Sequence, residues 1–413
     1  MKITKVETTV VAVPDPPLRN VNGVHEPYAV RVILQLHTDV GVTGLGEMPG
    51  GTRFKIELDA AASKILGLNP SHTEWLRELF PDTPRLWSAF EVPCLDAVGK
   101  ASGISVCDLL GGAVRDRVPF SAYLFYKFAT PDSWLATPAG ALPAWGDAGM
   151  YGWTQEVLTP EAMVEETAEF VHRYGFSTIK LKAGPLPPDE EVRTLRLIRE
   201  RFGPNYPLRI DPNAGWSVET ALRLLPQLEE IGLEYYEDPV RGMDAMAEVG
   251  RHTEIPMATN MCLVNFKQFP EGIAKDAVQV VLADHHGWGG LWAMKQCGQI
   301  CRIFGMGTSQ HSNSHLGISM AAMVHAGATV PTLTYASDTH YPWQQGWDIV
   351  NETFTFSDGC LPVPTGPGLG VTLNQERLGR LAEVAAARPS ERRDDLSTMR
   401  RWFPDWEVKP QRW

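Results

Sequence analysis

Short apolar runs that each end in a polar residue recur through the second half of this 413-residue chain. The polar residues are Lys182, Asp211, Glu237, Asn260, Asp284 and His311. They are separated by 29, 26, 23, 24 and 27 residues, and Asp338 follows after another 27. Most are followed by residues with helical periodicity, so each step reads as one strand and one crossover helix. This repeat predicts a TIM-like (β/α)₈ barrel, in which the carboxyl ends of all strands face one mouth.

Eight apolar runs are the predicted barrel strands. They are Val118–Phe125, Thr178–Lys182, Leu208–Asp211, Glu234–Glu237, Met257–Asn260, Val278–Asp284, Gly305–Gln310 and Leu333–Ser337. Two helix starts are also recognisable between them. Thr159 followed by Pro160 is typical of an N-cap and a first helical residue, and Ser217 is predicted to cap a later helix.

Residues 1–115 precede the barrel and have a different pattern. Alternating apolar positions over Ile3–Val13, Ala29–His37 and Val42–Glu47 are followed by helical stretches, which predicts an α+β capping domain. Residues 116–350 are expected to form the barrel, and residues 351–413 to return over the cap or the barrel mouth. Residues 127–158 are rich in Pro, Gly, Trp and Ala, and such a long connection is expected to form a lid or a wall of the site.

Composition and charge narrow the class of function. The chain is 44% hydrophobic and 21% charged, as in an average globular protein. A net charge of −12 opposes binding to nucleic acid, which needs a basic face. No apolar run is long enough to cross a membrane, and the six cysteines form no C-x-x-C pair. These features indicate a soluble, cytoplasmic enzyme with no nucleic-acid or membrane partner.

Asp211, Glu237 and Asn260 end three consecutive predicted strands and offer only oxygen ligands. Two carboxylates and an amide oxygen suit Mg²⁺, which prefers octahedral oxygen coordination. Taken singly, Asp211 could instead cap the next helix, and Glu237 could form a salt bridge inside the barrel. Three successive strand ends together favour a metal site.

Lys180 and Lys182 lie on the strand before the metal candidates. Because strand side chains alternate, both should point into the barrel while Leu181 faces the helices. A lysine beside a divalent cation and a second ammonium group has its charged form disfavoured, so Lys182 could act as a base. Lys180 would be that neighbour and a contact for a substrate carboxylate.

His311 ends the seventh predicted strand, and Asp284 ends the sixth. A carboxylate on the adjacent strand can accept the imidazole N–H, fix the tautomer and raise the basicity of the histidine. His311 would then face Lys182 across the barrel, so that one substrate meets a base on each face. A zinc cluster of His285, His286, His311 and His315 is the competing interpretation, and His315 is otherwise predicted to cap the following helix.

Several strings of residues resemble the enolase superfamily, and within it the glucarate dehydratase group. They are Ile179–Gly184, Ile210–Asn213, Tyr236–Pro239, Ala258–Met261, Leu282–His285, Gln310–His315 and Ser337–His340. The likeness extends to Asn20–His25, Tyr123–Phe125 and Arg393–Asp395, and so spans nearly the whole chain. Lys or His bases beside Mg²⁺ are the general enolase-type pattern.

The resemblance implies an enolase-like fold, Mg²⁺ on Asp211, Glu237 and Asn260, and opposed acid–base groups Lys182 and His311, with Asp284 orienting His311. The substrate contacts that it implies are Asn20, His25, Tyr123, Phe125, Lys180, Asn213, Asn313, His340 and Arg393. Ser88 stands where the family usually has Thr, while Ser314, Leu316 and Gly317 replace larger residues.

The implied reaction is the dehydration of an acid sugar, such as D-glucarate or its epimer L-idarate, to a keto-deoxy diacid. It would start with removal of the proton next to a carboxylate. Two alternatives stay open at this point. One is another acid-sugar dehydratase or epimerase of the superfamily, acting on galactarate or an aldonate, and the other is a non-catalytic sugar-acid-binding barrel. A homo-oligomer is also expected from the resemblance.

Overall fold

The computed structural model describes residues 1–131, 133–134, 153–388, 393–409 and 412–413. The N-terminal part contains five strands, which are β1 (Ile3–Pro14), β2 (Arg19–Asn20), β3 (Gly23–Val24), β4 (Tyr28–Thr38) and β5 (Thr43–Pro49). Its helices are α1 (Thr52–Ala62), α2 (Thr73–Arg77), α3 (Pro84–Ser102) and α4 (Val106–Leu109). Strands β1, β4 and β5 form an antiparallel sheet in that order, and α3 packs against β5. The α+β character of this part agrees with the prediction from its alternating pattern.

The second part of the chain alternates strands and helices. The strands are β6 (Arg117–Pro119), β7 (Ala122–Phe125), β8 (Ile179–Lys182), β9 (Leu208–Asp211), β10 (Tyr235–Glu237), β11 (Met257–Thr259), β12 (Val280–Ala283) and β13 (Gly307–Gln310). The helices are α5 (Pro160–Tyr174), α6 (Pro188–Phe202), α7 (Val218–Ile231), α8 (Met243–Gly250), α9 (Phe269–Lys275), α10 (His285–Trp288), α11 (Leu291–Ile303) and α12 (Gly317–Thr329), with a 3₁₀ turn at Phe266–Gln268.

Strands β7 to β13 form one parallel sheet of seven strands in sequence order. Right-handed crossovers of this kind put helices outside and strand ends at one mouth. Both predicted caps are present, since the Thr159 side chain accepts from Ala162 N–H and the Ser217 side chain from Thr220 N–H. The TIM-like barrel fold with a capping domain is therefore confirmed.

Leu333–Ser337 was predicted as the eighth strand, and this assignment was wrong. The segment makes only isolated bridges, one from Leu333 to Thr308 and one from Ser337 to Phe120. A local turn, in which Thr334 N–H donates to Thr332 C=O, prevents extended pairing. The segment still occupies the eighth position, because Asp338 N–H donates to β13 and Ser337 N–H donates to Pro119 of β6.

The predicted first strand, Val118–Phe125, is divided into two. Its beginning is β6, which pairs antiparallel with β14 (Cys360–Pro362), and its end is β7 in the barrel sheet. Pro119 cannot donate a ladder hydrogen bond, which favours the break. Ser121 N–H donates to Ser337 C=O between the two parts.

The rest of the C-terminal part contains α13 (Tyr341–Gln344), a 3₁₀ turn at Gln345–Trp347, α14 (Gln375–Ala386) and α15 (Asp395–Met399). Helix α14 packs on β1 and α15 on β3, so this part contacts the capping domain. The exact domain limits stay a prediction. Most of the proposed lid, residues 127–158, lies outside the described residues. Within the described part of the chain, every helix is too short or too polar to cross a bilayer.

Candidate functional site

The strand register brings two rows of side chains into the barrel. Phe125, Lys182 and Asp211 are aligned across β7, β8 and β9, and one layer below them Tyr123, Lys180 and Arg209 are aligned in the same way. Alternation along β8 sends Leu181 into the apolar core between sheet and helices. Both lysines therefore reach the barrel interior, at two different depths.

The deeper lysine, Lys180, is surrounded by carboxylates. Its Nζ lies 2.5 Å from Glu237 Oε2, 2.6 Å from Asp338 Oδ2 and 3.5 Å from Asp211 Oδ2, and all four side chains are fully buried. Burial opposes its charge, but Asp338 and Glu237 outweigh burial and hold the pKa of Lys180 well above its usual range. Lys180 therefore stays a cation beneath the site.

Lys182 lies one layer higher, at the barrel mouth. Its Nζ donates to Asp211 Oδ2 at 2.5 Å and to Asn213 Oδ1 at 2.6 Å. Asn213 has a left-handed backbone with φ of 55°, an uncommon conformation for a non-glycine residue. Asn213 N–H also donates to Asp211 Oδ1, so Asp211 and Asn213 hold each other beside the amine.

Asp211 and Glu237 have the chemistry expected of cation ligands. Both are fully buried, and neither oxygen of Glu237 has a hydrogen-bond partner among the described residues. Glu237 and Lys180 thus form an ion pair, but the angle between the two groups is not that of a hydrogen bond. Burial and the neighbouring charge of Asp211 raise the pKa of Glu237 well above its usual range. Buried carboxylates with unused oxygens are compensated by a bound cation.

Asn260 follows β11 directly, next to the end of β10. Asp238 accepts the Asn260 backbone N–H at 2.8 Å through Oδ2 and the Thr259 hydroxyl at 2.6 Å through Oδ1. Asp238 itself has φ of 35°. Asp238 thereby fixes the backbone at Asn260, which lies two residues beyond Ala258, the partner of Glu237 on the neighbouring strand. These three residues fit a hard divalent cation, as their oxygen donors predict.

His311 and Asp284 lie next to each other, directly after the ends of β13 and β12. His311 Nδ1 is 3.2 Å from Asp284 Oδ2, while Oδ1 of the same carboxylate accepts the His286 backbone N–H at 2.9 Å. Although burial alone would raise it, His286 and His311 hold the pKa of Asp284 well below its usual range. An ionised Asp284 accepts the Nδ1 proton of His311 and leaves Nε2 as the basic nitrogen.

The histidines beside Asp284 form a packed group. Ligand atoms of Asp284, His285 and His286 lie within 4.8 Å of one another, and the rings of His285 and His286 are 3.9 Å apart. His286 Nε2 is engaged by Ser319 Oγ at 2.9 Å and by Glu47 C=O at 3.1 Å. His311 is engaged by Asp284. Two of the four imidazoles in the zinc interpretation thus already have protein partners.

The prediction that His315 caps the following helix was wrong. Leu316 holds the N-cap position of α12, and neither ring nitrogen of His315 has a partner in the described part of the chain. Gly317 N–H donates to Asp348 Oδ1 at 2.9 Å, and two further N–H groups at this helix start are satisfied from the capping domain. Glu47 accepts from Leu316 N–H at 2.9 Å and from Ser319 N–H at 2.8 Å.

A cavity of about 120 Å³ opens between the barrel mouth and the N-terminal part. It is lined by Asn20, Asn22, His25, Tyr123, Phe125, Lys182, Asn213, His311, Ser312, Asn313, His340 and Arg393. The cavity thus contains eight of the nine predicted substrate contacts and both predicted acid–base groups. Lys180, the ninth contact, lies beneath it among the carboxylates. A neighbouring cavity of about 300 Å³ shares Asn313 and Arg393.

One end of the cavity is formed by His25, His340, Asn20 and Arg393. Neither ring nitrogen of His340 has a partner among the described residues, although the side chain is buried. Burial and the nearby His25 lower the pKa of His340 well below its usual range, so the ring is neutral. Arg393 Nε lies 2.9 Å from Asp395 Oδ1, and Asn20 Nδ2 donates to Asp395 Oδ2 at 2.8 Å. This end offers several polar groups to a ligand.

Sequence reasoning missed several residues of this region. Asp338 ended the repeat of polar residues but was given no role, and the structure pairs it with Lys180. Asp15, next to His25, had no recognisable signal. The Ser88 hydroxyl donates to His285 C=O at 2.6 Å and does not line the cavity.

A capping domain on a (β/α) barrel, with carboxylates and basic groups at the strand ends, defines the enolase type of barrel enzyme. A family model described as enolase C-terminal domain-like matches residues 162–377. The chain is 43% identical to a probable glucarate dehydratase of Streptomyces coelicolor, over 98% of this chain and 97% of that protein.

Two crystal structures of enolases are also similar. One, from Mycobacterium smegmatis in complex with formate and acetate, has a TM-score of 0.90 and 44% identity, over 100% of this chain and 98% of that one. The other, from Pseudomonas fluorescens with magnesium, potassium and tartrate, has a TM-score of 0.92 and 40% identity, over 100% and 99%. The chain therefore belongs to the enolase superfamily, in the group of the Streptomyces protein, and is an enzyme of the hydro-lyase class.

Proposed function

We propose that this protein is a magnesium-dependent dehydratase of acid sugars, with D-glucarate and its epimer L-idarate as the preferred substrates. One observation carries the proposal. Lys182 and His311 line the same cavity, and Asp211, which is buried, contacts Lys182 directly. The similarity to a probable glucarate dehydratase supports the choice of substrate.

Asp211, Glu237 and Asn260 are the residues that would hold the metal. The unused oxygens of Glu237 and the buried charge of Asp211 are the features that fit it. Three similar enolases were crystallised with magnesium, which supports the choice of cation. Bound there, magnesium supplies positive charge that stabilises the negative charge developing on the substrate carboxylate. Lys180, a buried cation beside the same carboxylates, adds to this positive potential.

The chain's own bases start the reaction on either face of the substrate. Lys182 Nζ removes the proton next to the carboxylate from one configuration, and His311 Nε2 removes it from the other. The C–H bond breaks, and its electron pair forms the enediolate. Because His311 uses Nδ1 to contact Asp284, only Nε2 is left for the substrate. Epimeric substrates therefore reach one common intermediate.

His311 also completes the elimination. Its Nε2 carries the proton that it has just removed from the substrate or, where Lys182 is the base, a proton taken up from water beforehand. Nε2 donates this proton to the β-hydroxyl group, the C–O bond breaks, and the hydroxyl leaves as water. The enol that remains tautomerises to the keto-deoxy diacid. Asp284, with its lowered pKa, stabilises the imidazolium that this step requires.

The group of His25, His340, Asn20 and Arg393 in the cavity wall supports a diacid substrate. A second carboxylate needs a cation and hydrogen-bond donors, which Arg393, His25 and His340 can provide. An aldonate has no charge at this end and would leave the cation without a ligand partner. This contrast predicts a preference for diacids over aldonates.

The test is a panel of acid sugars, namely D-glucarate, L-idarate, galactarate and D-gluconate, incubated with magnesium. Formation of the 2-keto product is measured with semicarbazide. We expect turnover of glucarate and idarate, none after chelation by EDTA, and recovery when magnesium is restored.

Two His→Asn variants are compared, one in the site and one at an exposed position as the matched control. His311→Asn should abolish turnover, whereas His252→Asn, whose side chain is 54% exposed, should retain it. If galactarate alone is turned over, galactarate is the substrate and the choice of glucarate and idarate is wrong. Absence of keto acid from every compound would refute the dehydratase assignment and favour a binding protein.

A further inference from the structure

A second histidine–carboxyl pair faces the cavity from the N-terminal part of the chain. His25 lines the cavity, and its Nδ1 is 2.9 Å from Asp15 Oδ2. The two side chains are 4% and 1% exposed, so the contact is shielded from water. Asp15 has no part in the reaction described above.

Both partners of this pair are held from several sides. Asp15 follows β1 directly, its N–H donates to Pro27 C=O at 2.9 Å, and its C=O accepts from Trp134 Nε1 at 2.7 Å. The His25 ring meets Phe125 edge-on at 5.8 Å and stacks with His340 at 6.1 Å. The orientation of the imidazole is therefore determined, and Nε2 is the nitrogen left for a ligand.

The environment of Asp15 differs from that of Asp284. Asp284 receives a backbone N–H and contacts two histidines, whereas Asp15 Oδ1 has no partner within the described ranges of the chain. Burial raises the pKa of Asp15 to about 8, and burial lowers the pKa of His25 to about 3. Among the described residues, each of the two side chains has only the other as an ion-pair partner within 4 Å, and both are buried. Burial of such a pair favours a neutral carboxyl against a neutral imidazole.

We propose that Asp15 is a positioning residue that holds His25 with its proton on Nε2, so that this end of the cavity donates a hydrogen bond to an oxygen of the ligand. Asp15 carries the carboxyl proton and donates it as a hydrogen bond to Nδ1. The two histidine–carboxyl pairs then have opposite roles. His311 presents an unprotonated Nε2 as a base, and His25 presents an N–H as a donor.

This role selects the ligand by its acceptors. A carboxylate or hydroxyl oxygen accepts from His25, while an amide N–H₂ or ammonium group at the same place meets a second donor and is rejected. The identity of the ligand, an acid sugar, rests on the proposed function. The tautomer of His25 does not, because it can be measured without turnover of any substrate.

The first test needs no substrate. Long-range ¹H–¹⁵N NMR of the ¹⁵N-histidine-labelled protein distinguishes the protonated from the unprotonated ring nitrogen, and His25→Gln assigns the signals. We expect a protonated Nε2 and an unprotonated Nδ1 for His25. A protonated Nδ1 with a free Nε2 would overturn the proposal, whether or not any acid sugar is turned over.

The second test uses two substitutions of Asp15 with D-glucarate. Asp15→Asn keeps the shape, and its amide N–H can replace the carboxyl proton, so KM should stay within about threefold. Asp15→Leu removes the donor, and loss of one hydrogen bond to a charged ligand should raise KM at least about tenfold with a smaller change in kcat. Asp284→Asn provides the contrast, because it should lower kcat instead.

Thermal unfolding separates this role from a structural one. If Asp15→Leu lowers Tm but leaves KM unchanged, Asp15 is structural and the proposal is wrong. Equal increases of KM in Asp15→Asn and Asp15→Leu would also contradict it, because the donated hydrogen bond would then be irrelevant. If glucarate is not a substrate but the NMR result holds, the proposed function fails while the role of Asp15 stands.

Discussion

His311 Nδ1 lies 3.2 Å from Asp284 Oδ2, and the two residues directly follow neighbouring strands of the barrel. The same carboxylate is fixed through its other oxygen by the backbone N–H of His286 at 2.9 Å. The imidazole is therefore oriented by a carboxylate that cannot itself rotate freely. His311 is 22% exposed, enough to meet a ligand in the cavity.

Asp284→Asn should reduce kcat by about 10²- to 10⁴-fold, the usual size of a general acid–base contribution. An amide can hold the ring but cannot stabilise the imidazolium. KM should change much less, because Asp284 does not line the cavity. Steady-state kinetics with D-glucarate provide the measurement, and a kcat within threefold of the unsubstituted protein would contradict the assigned role.

His311→Asn should abolish dehydration but leave proton exchange on one face. Lys182 can still remove the proton of the epimer that it faces and return a deuteron from D₂O. ¹H NMR should then show loss of the α-proton signal for one of glucarate and idarate, without keto acid. In Lys182→Met, only the epimer that faces His311 should still react, and because His311 is intact it should give keto acid. Exchange of both epimers in either variant would mean that the two bases do not act on opposite faces.

Glu237→Gln should weaken binding of magnesium by at least about tenfold, because one of two carboxylate ligands is lost. It should also leave Lys180 with less negative charge around it, since the two groups are 2.5 Å apart. Isothermal titration with magnesium chloride measures the affinity directly. Glu230→Gln, at an exposed site, is the matched control and should bind magnesium normally. Unchanged affinity in Glu237→Gln would remove Glu237 from the metal site.

The repeat of polar residues predicted the barrel because the period of a βα unit is written into the spacing of Lys182, Asp211 and Glu237. It also predicted which side chains share the mouth, since all strand ends in a parallel sheet face one side. Contacts between residues far apart in the chain leave no such periodic pattern in the sequence. The capping of α12 by Glu47 joins residues that are 269 positions apart in the chain.

Contacts that leave no such pattern also explain the other differences between the predicted and the observed structure. Leu333–Ser337 has the composition of a strand, but hydrogen bonds at its two ends and the turn at Thr332 decide its conformation. Asp15 meets His25 across the short hairpin of β2 and β3, whose two-residue strands leave no periodic pattern in the sequence. Lys180 was predicted to touch the substrate, and only the packing of Glu237 and Asp338 around it shows that it lies one layer deeper.

A buried ion pair outside the site should dominate the stability of its region. Lys127 Nζ lies 2.5 Å from Glu166 Oε1, and the two side chains are 0% and 1% exposed. Glu166→Ala should lower the free energy of unfolding by about 3–5 kcal/mol, because an uncompensated charge stays buried. The double variant Lys127→Met with Glu166→Leu should recover most of this loss. Urea unfolding followed by circular dichroism measures both, and a loss below 1 kcal/mol in Glu166→Ala would contradict the prediction.

The contact between α3 and α11 should make stability depend on pH. Glu91, buried in α3, accepts the backbone N–H groups of Leu291 at 2.5 Å and Trp292 at 3.1 Å, at the start of α11. Gly290 leaves the space for this approach, because a Cβ there would be 1.9 Å from Glu91 Oε2. Burial raises the pKa of Glu91 from 4.5 to about 7.

The sign of the effect follows from which state keeps the proton. Between pH 4.5 and about 7 the folded protein retains the Glu91 proton, whereas the unfolded chain has lost it. Its contribution to stability is thus complete below pH 4.5, declines as pH rises to about 7, and is constant above. The loss is on the order of 3 kcal/mol.

Glu91→Gln cannot titrate, so relative to it the unsubstituted protein should lose stability between pH 5 and pH 8 in urea unfolding. Glu57→Gln, at an exposed position, should keep the pH dependence of the unsubstituted protein. Parallel pH profiles for Glu91→Gln and the unsubstituted protein would show that Glu91 is already ionised in the fold, held by the two N–H groups of α11.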